Sequence, residues 1–396
     1  MPASVLRPLV RPGTDTDAVA GVVPRLVAEP ASTDDVSRVM KDAAAQGHSV
    51  VVRGNGSKST WGVPPSSLDL LVDLSRMNRV LEHEAGDLIV SAQAGTPLAD
   101  LQEALAPAGQ RLGVDDVVPR TTIGGLIATN VSGPRRVALG TVRDLVIGVT
   151  VVRADGVVAK AGGKVVKNVA GYDLSKLMVG SFGTLGVVTE ATFRLHPVPE
   201  ASTWLTVEAE SPSAASDLIA SVVHSQVVPA AVEVDAVPGA PTRLSVLLEG
   251  TERGVAQRSE RVRDLLGTTT TYDVPLALPG HADGARTLLK LTTQISSAPE
   301  IAQAAVDLGF HVRGSVGVGV LYASTGEAAR ASAAVGTLRT LTGRSGGAAV
   351  VLDAPTDVRD VVDMWGPVQG LDLMRRVKHE FDPDNRLAPG RFVGGI

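Results

Sequence analysis

The stretch Lys167–Leu195, KNVAGYDLSKLMVGSFGTLGVVTEATFRL, constrains the fold of this chain most. Within it, Gly183-Thr-Leu-Gly186 turns the chain directly into a β-branched run that includes Val187 and Val188. A glycine–threonine turn feeding a strand brings bare backbone close to whatever lies beside it. A second glycine-rich loop, Arg53-Gly-Asn-Gly-Ser-Lys58, stands far upstream and also follows a short β-branched strand, Ser49–Val52. Gly54 and Gly56 allow left-handed backbone angles there. Successive N–H groups around Asn55 and Ser57 form a nest for an anion, and Arg53 and Lys58 add charge.

Between these loops lies a third group of small residues. Pro119 leads into Thr121-Thr-Ile-Gly-Gly125, which comprises Thr121, Thr122, Ile123, Gly124 and Gly125, and Thr129, Ser132 and Gly133 follow. Hydroxyls and glycines in this order suit backbone contact with a pyrophosphate or a flat ring. Each loop taken singly also fits a plain turn, a helix cap or tight packing. Their order and spacing carry the reading of two walls of a flavin site. A nucleotide-kinase P-loop is excluded, because no G-x-x-x-x-G-K-[ST] occurs and Gly163-Lys164 runs into Val165. A dinucleotide βαβ fingerprint does not fit either.

The chain has 396 residues, 44% apolar and 20% charged, which is enough for two or three soluble domains. Only 3% is aromatic, so the core must be built from Val, Leu and Ala. A net charge of −5 argues against nucleic acid or an anionic membrane as the main partner. No apolar run reaches the roughly 20 residues that span a bilayer, so no transmembrane segment is expected, and the N-terminus has no secretory h-region. With no cysteine, disulfides, cysteine-ligated clusters and a cysteinyl-linked cofactor are excluded in this chain. The seven histidines show no i,i+4 metal pair, and a G-x-S-x-G elbow is absent. No metal site is expected.

Along the chain, residues 26–62 read as strand, helix, strand and loop. Ser32 or Thr33 caps the helix and Gly47 stops it. Strands are expected at 70–74, 88–94 and near 146–153, with Thr96-Pro97 opening a helix. Past His196-Pro-Val-Pro199 the texture changes. Strands at 203–210, 230–236, 243–249 and 315–323 alternate with Ala-rich helices at 212–224, 251–266, 297–308 and 324–342, which indicates a separate α+β unit. A basic amphipathic helix over Leu371–Arg391, broken at Phe381-Asp-Pro383, closes the chain.

The chain resembles the FAD-linked oxidases and dehydrogenases of the vanillyl-alcohol oxidase/PCMH superfamily, and within it the glycolate oxidase group, most of all that group's FAD-binding E subunit. The three loops, Trp61-Gly62, Ser132-Gly-Pro-Arg-Arg136, Gly140-Thr-Val-Arg-Asp144, Lys167-Asn-Val-Ala-Gly-Tyr-Asp173 and Phe381-Asp-Pro383 carry the resemblance. It is strong over 20–198, weak in the middle and recovers near the C-terminus. It implies an α+β fold: a two-lobed PCMH-type FAD-binding domain at 1–198, an α+β cap with an antiparallel sheet at 199–370, and a segment at 371–396 returning to the FAD domain. Arg53–Lys58 and Thr121–Gly125 would hold the pyrophosphate, Thr129, Ser132 and Gly133 would lie by the isoalloxazine, and Gly183–Val188 would pack along the cofactor. Many relatives attach FAD through a histidine in the first loop. Ser57 and Lys58 stand there instead, so the resemblance implies non-covalent FAD.

The cap departs from its relatives. Where catalytic 2-hydroxyacid dehydrogenases of the group carry G-H-x-G-x-G-x-x-H, this chain reads Gly314-Ser-Val-Gly-Val-Gly-Val-Leu-Tyr322, with Ser315 and Tyr322 at the metal-binding histidine positions. Lys290 is a candidate for holding a substrate carboxylate, against the plainer reading of a solvated lysine at a helix end. The relatives' Asn-Pro-Gly is Ala388-Pro-Gly390. The resemblance implies an FAD-binding subunit of a glycolate oxidase complex, turning glycolate into glyoxylate. Its expected partners are a homologous catalytic flavoprotein and an Fe–S subunit, and its expected place is the cytoplasm, with peripheral attachment to the inner membrane through those partners. A stand-alone flavin enzyme for another small alcohol or hydroxyacid, and a non-catalytic structural subunit, remain the alternatives.

Overall fold

The computed structural model describes residues 10–164, 173–271, 273–280 and 287–396. Its first sheet has four strands, β1 (Val10–Pro12), β2 (Leu26–Ala28), β3 (Val50–Arg53) and β4 (Leu70–Asp73), in the order β1-β2-β4-β3. The helix Thr33–Ala45 forms the crossover between the parallel strands. Ser32 caps it by accepting from the Asp35 amide at 3.1 Å, and Val36, Val39, Met40 and Ala43 face the core.

A second, antiparallel sheet is built from β5 (Val80–Glu84), β6 (Ile89–Gln93), β8 (Val146–Val152), β9 (Val158–Gly162) and β10 (Val187–Arg194), while β7 (Gln110–Arg111) pairs separately with β11 (His196–Pro197). Its order is β5-β6-β10-β8-β9. Strand β10 shows strict burial alternation, with Val187, Ala191 and Phe193 in the core. The helix Leu98–Leu105 packs Leu98, Leu101 and Leu105 into the same core. Thr96 does not cap that helix; Pro97 occupies the cap position, and the Thr96 hydroxyl donates to the Arg79 carbonyl.

The third sheet has seven antiparallel strands: β12 (Ala201–Ala209), β13 (Ala231–Ala236), β14 (Thr242–Gly250), β15 (Thr287–Thr292), β16 (His311–Ser315), β17 (Val320–Thr325) and β18 (Ala348–Asp353), in the order β12-β14-β13-β16-β17-β15-β18. Helices Glu252–Leu266, Ala298–Asp307 and Ala328–Arg344 cover one face with an apolar core of Val, Leu and Ala. The other face is polar, because period-two alternation puts Glu233, Asp235, Lys290, Arg313, Ser315 and Tyr322 on it.

Three expectations are corrected. The strand expected at 315–323 is two strands, because the glycines turn the chain: Gly319 has φ +66°, and a Cβ there would meet the Thr293 carbonyl oxygen at 2.0 Å. The following helix accordingly begins at Ala328. The C-terminal helix ends at Phe381, and the chain then continues through turns and bends, with a single bridge in which Leu387 pairs in parallel with Val50 of β3. Lys290 lies in the middle of β15, not at a helix end: the alternation Leu289-Lys290-Leu291 buries both leucines and turns the lysine to the polar face.

Candidate functional site

Strand β3 delivers the chain into the first glycine loop. Gly54 passes so close to Thr122 that a Cβ would stand 2.4 Å from its hydroxyl oxygen, and Gly56 turns with φ +72°. Thr122 caps the helix Ile123–Thr129, its hydroxyl accepting from the Gly125 amide at 3.2 Å. Loop and helix start therefore face each other across a cleft with about 90 Å³ of free space. Arg53, Gly54, Asn55, Gly56, Ser57 and Lys58 form one wall, and Thr122, Gly125 and Thr129 form the other. Phe182 adds an aromatic edge from a left-handed backbone position, φ 54°. Arg391 reaches in from the C-terminal segment.

The charges in this cleft differ from the simple sequence reading. Arg53 is neutralised by Asp73 at 2.6 Å and Asp17 at 3.0 Å, so it braces the loop rather than charging the cleft. Its partners hold Arg53 from outside the loop, and Arg11 extends the network through Asp17 at 2.7 Å. Lys58 keeps its head in the cleft wall, donating to Thr121 Oγ1 at 2.7 Å and Ser57 Oγ at 3.3 Å. Burial outweighs the pull of Asp116 and lowers its ammonium to about 8. Arg391 is 6% exposed and donates through Nη2 to the carbonyls of Ser59 at 3.0 Å and Trp61 at 2.6 Å. Among the described residues it makes no ion pair, and its Nε has no partner. Burial, reinforced by Arg359, brings the guanidinium down to about 10.

The other candidate residues support this cleft from behind or lie elsewhere. Ile123 and Val187 are core residues, and Val188 packs partly against the same clusters. Gly124 lies against Ala94, and Gly186 fits under Val151, where a Cβ would sit 2.5 Å from its side chain. Gly183 turns with φ +75°, and Thr184 donates to the Ser181 carbonyl at 2.7 Å. Pro119 is exposed. Trp61 is buried with Val117, Val118 and Tyr322 where the third sheet meets the first two. Lys167–Tyr172 of the opening stretch lie outside the described residues; Asp173 caps the next helix by accepting from the Lys176 amide.

Ser132 and Gly133 line a second, smaller cavity of about 20 Å³, room for about one water molecule. Arg136, Glu233, Arg313, Ser315 and Tyr322 surround it, with the segment 275–279 along one side. Leu278 fixes that segment, its amide donating to the Val117 carbonyl at 3.0 Å, and Arg313 donates to the Ala277 carbonyl at 2.7 Å. Ser315 donates to Glu233, whose burial outweighs that bond and raises the carboxyl to about 8. Burial pushes the Tyr322 phenol up, but Arg136 and Lys290 nearby pull harder and leave it below its ordinary value. Among the described residues, no three His, Asp or Glu side chains gather as a metal-binding group. Sequence reading missed Arg391, Phe182, Glu233 and Arg313. Strands at 230–236 and 243–249 were expected, but nothing local marked that Glu233 and Asp235 would face Ser315 and Arg313 across the sheet.

A family model for an FAD binding domain matches residues 24–162. The chain is 29% identical over 418 aligned residues to glycolate oxidase subunit GlcD of Bacillus subtilis (strain 168), covering 93% of this chain and 89% of that one. It is 39% identical over 171 residues to glycolate oxidase subunit GlcE of Escherichia coli (strain K12), covering 43% of this chain and 48% of that one. Among solved structures, substrate-bound p-cresol methylhydroxylase superposes with a TM-score of 0.73 at 16% identity over 93% of this chain and 88% of that one. The fold is thus α+β of the p-cresol methylhydroxylase type, and FAD is the cofactor of this chain. It is related to FAD-linked oxidoreductases that include glycolate oxidase subunits.

Proposed function

We propose that this chain is a non-covalently FAD-binding subunit of a 2-hydroxyacid dehydrogenase complex of glycolate oxidase type, oxidising glycolate to glyoxylate at the level of the complex. The observation that carries the reading is the cleft between the Arg53–Lys58 loop and the helix Ile123–Thr129. It offers a glycine loop closed against Thr122 so tightly that Gly54 admits no Cβ, a half-buried ammonium at Lys58 and an unpartnered Nε at Arg391. These features suit an anion such as the diphosphate of FAD. FAD held there would supply redox chemistry to the complex. The chain's own residues bind, orient and exclude water. The loop amides and Lys58 hold the cofactor, and Ser57 and Lys58 offer no imidazole for covalent attachment. On the polar face of the third sheet Lys290 stands opposite Tyr322, and Arg136 reaches the Tyr322 hydroxyl at 3.4 Å.

The accessory role rests on the second cavity. It is lined by Ser315 and Tyr322, which stand where catalytic relatives carry metal-binding histidines. A homologous flavoprotein then hosts turnover. With no cysteine in this chain, an Fe–S subunit carries the electrons onward. The complex works in the cytoplasm, held at the inner membrane through its partners; among the described residues, no helix is long and apolar enough to cross a membrane.

The test is spectroscopic. Purified chain reconstituted with FAD should show a flavin spectrum that denaturation releases into solution. Anaerobic glycolate or D-lactate should leave it unbleached until the homologous flavoprotein is added. Bleaching by the isolated chain would overturn the accessory role, and absence of bound flavin would overturn the FAD site.

A further inference from the structure

We infer that Arg391 is a diphosphate-binding residue, so that the C-terminal segment acts as a latch over the cofactor cleft. The inference rests on the FAD reading above and adds a residue from the opposite end of the chain to the first loop. Three observations carry it. Arg391 lines the same cleft as Gly54, Gly56 and Lys58. It is buried, yet no carboxylate pairs with it among the described residues, and Arg359, itself paired with Asp353, adds repulsion. Its Nη2 grips the Ser59 and Trp61 carbonyls while Nε is left with no acceptor.

A buried guanidinium without a counter-ion is costly, and the cost is relieved when an anion enters. Of the groups in FAD, the diphosphate is the anion, and guanidinium matches its oxygens in geometry as well as charge. The backbone makes this a latch. Val50 N–H donates to the Arg386 carbonyl and Ala388 N–H to the Val50 carbonyl, both at 2.7 Å, so the segment leading to Arg391 runs beside the strand that enters the glycine loop. Anion binding at Arg391 therefore ties the last residues to the first loop.

The test compares wild type, Arg391→Met and Arg391→Lys by titration with FAD, ADP and riboflavin. ADP carries the diphosphate without the flavin, and riboflavin the flavin without the diphosphate. Arg391→Met should weaken FAD and ADP binding at least tenfold and leave riboflavin unchanged. Its apo form should melt no lower than wild type, since it loses an unpaired buried charge. Arg391→Lys should recover part of the ADP affinity. Unchanged ADP affinity in Arg391→Met would overturn the inference, as would an equal loss for riboflavin, which would make Arg391 only a brace for Ser59 and Trp61. If wild type itself binds neither FAD nor ADP, it is the FAD-site reading that fails.

Discussion

Lys58 shows how burial sets chemistry at the scale of one residue. Its ammonium is held at about 8, below the ordinary lysine value, by removal from water. The folded chain therefore releases this proton at lower pH than the unfolded chain. Apo stability should rise as pH climbs from about 8 towards the unfolded lysine value near 10.4. An anion in the cleft needs the charged form, so its affinity runs the opposite way. The FAD dissociation constant should stay flat below pH 8 and then weaken, by at most about tenfold per pH unit. Flavin fluorescence titrations at pH 7, 8 and 9 measure this. Lys58→Met should bind more weakly at pH 7 and lose the pH dependence, and a persisting slope in that variant would assign the proton elsewhere.

At the scale of elements, the C-terminal helix is fastened by one buried ion pair. Lys378 donates to Asp382 at 2.7 Å, to the Thr184 carbonyl at 2.9 Å and to the Leu387 carbonyl at 2.8 Å, while Asp382 accepts from the Leu387 amide at 2.6 Å. Phe381-Asp-Pro383 thus ends the helix and supplies the carboxylate that shapes the return beside β3. Lys378→Met leaves a buried carboxylate with no counter-ion and should cost about 3–5 kcal/mol in urea unfolding. Amide exchange over 371–396 should accelerate with it. Lys378→Met with Asp382→Leu should recover part of the loss; a double variant as unstable as the single one would show that the carbonyl contacts, rather than the charge, matter.

For the whole molecule, the polar face of the third sheet must be held against the part built on the first two sheets. Glu249, at the end of β14, accepts from Arg111 at 2.5 and 3.0 Å and from Arg135 at 2.7 Å, and Thr60 donates to Asp353 at 2.9 Å. These contacts join residues on both sides of the exposed connection around Val198 and Glu200. Glu249→Ala removes the shared acceptor of two arginines. Proteolysis at that connection should then speed up several-fold, with the flavin spectrum retained. An unchanged cleavage rate would show that the apolar cluster around Trp61 and Tyr322 and the Thr60–Asp353 contact hold the two parts together without Glu249.

Local grammar carried much of the reading. The Ser32 cap, the glycine turn at Gly56 and the alternation of β10 are needs of a few neighbouring residues, so the residues themselves display them. The antiparallel α+β texture past Pro199 was visible for the same reason, although the Gly314–Gly319 turn, which splits one expected strand into β16 and β17, was not. Pairing of charges was not legible. Arg53 looked like a cofactor residue and is held by Asp17 and Asp73, while Arg391, which lies 330 residues from Trp61, enters the cleft. Lys290 was placed by its strand partners Tyr322 and Val350. The glycine turns at Gly56 and Gly183 were legible in the residues themselves, because a left-handed backbone angle depends on residue types nearby. Which charges stay unpaired was settled only by folding, because a charge is cancelled by whichever residue the fold brings within a few ångströms.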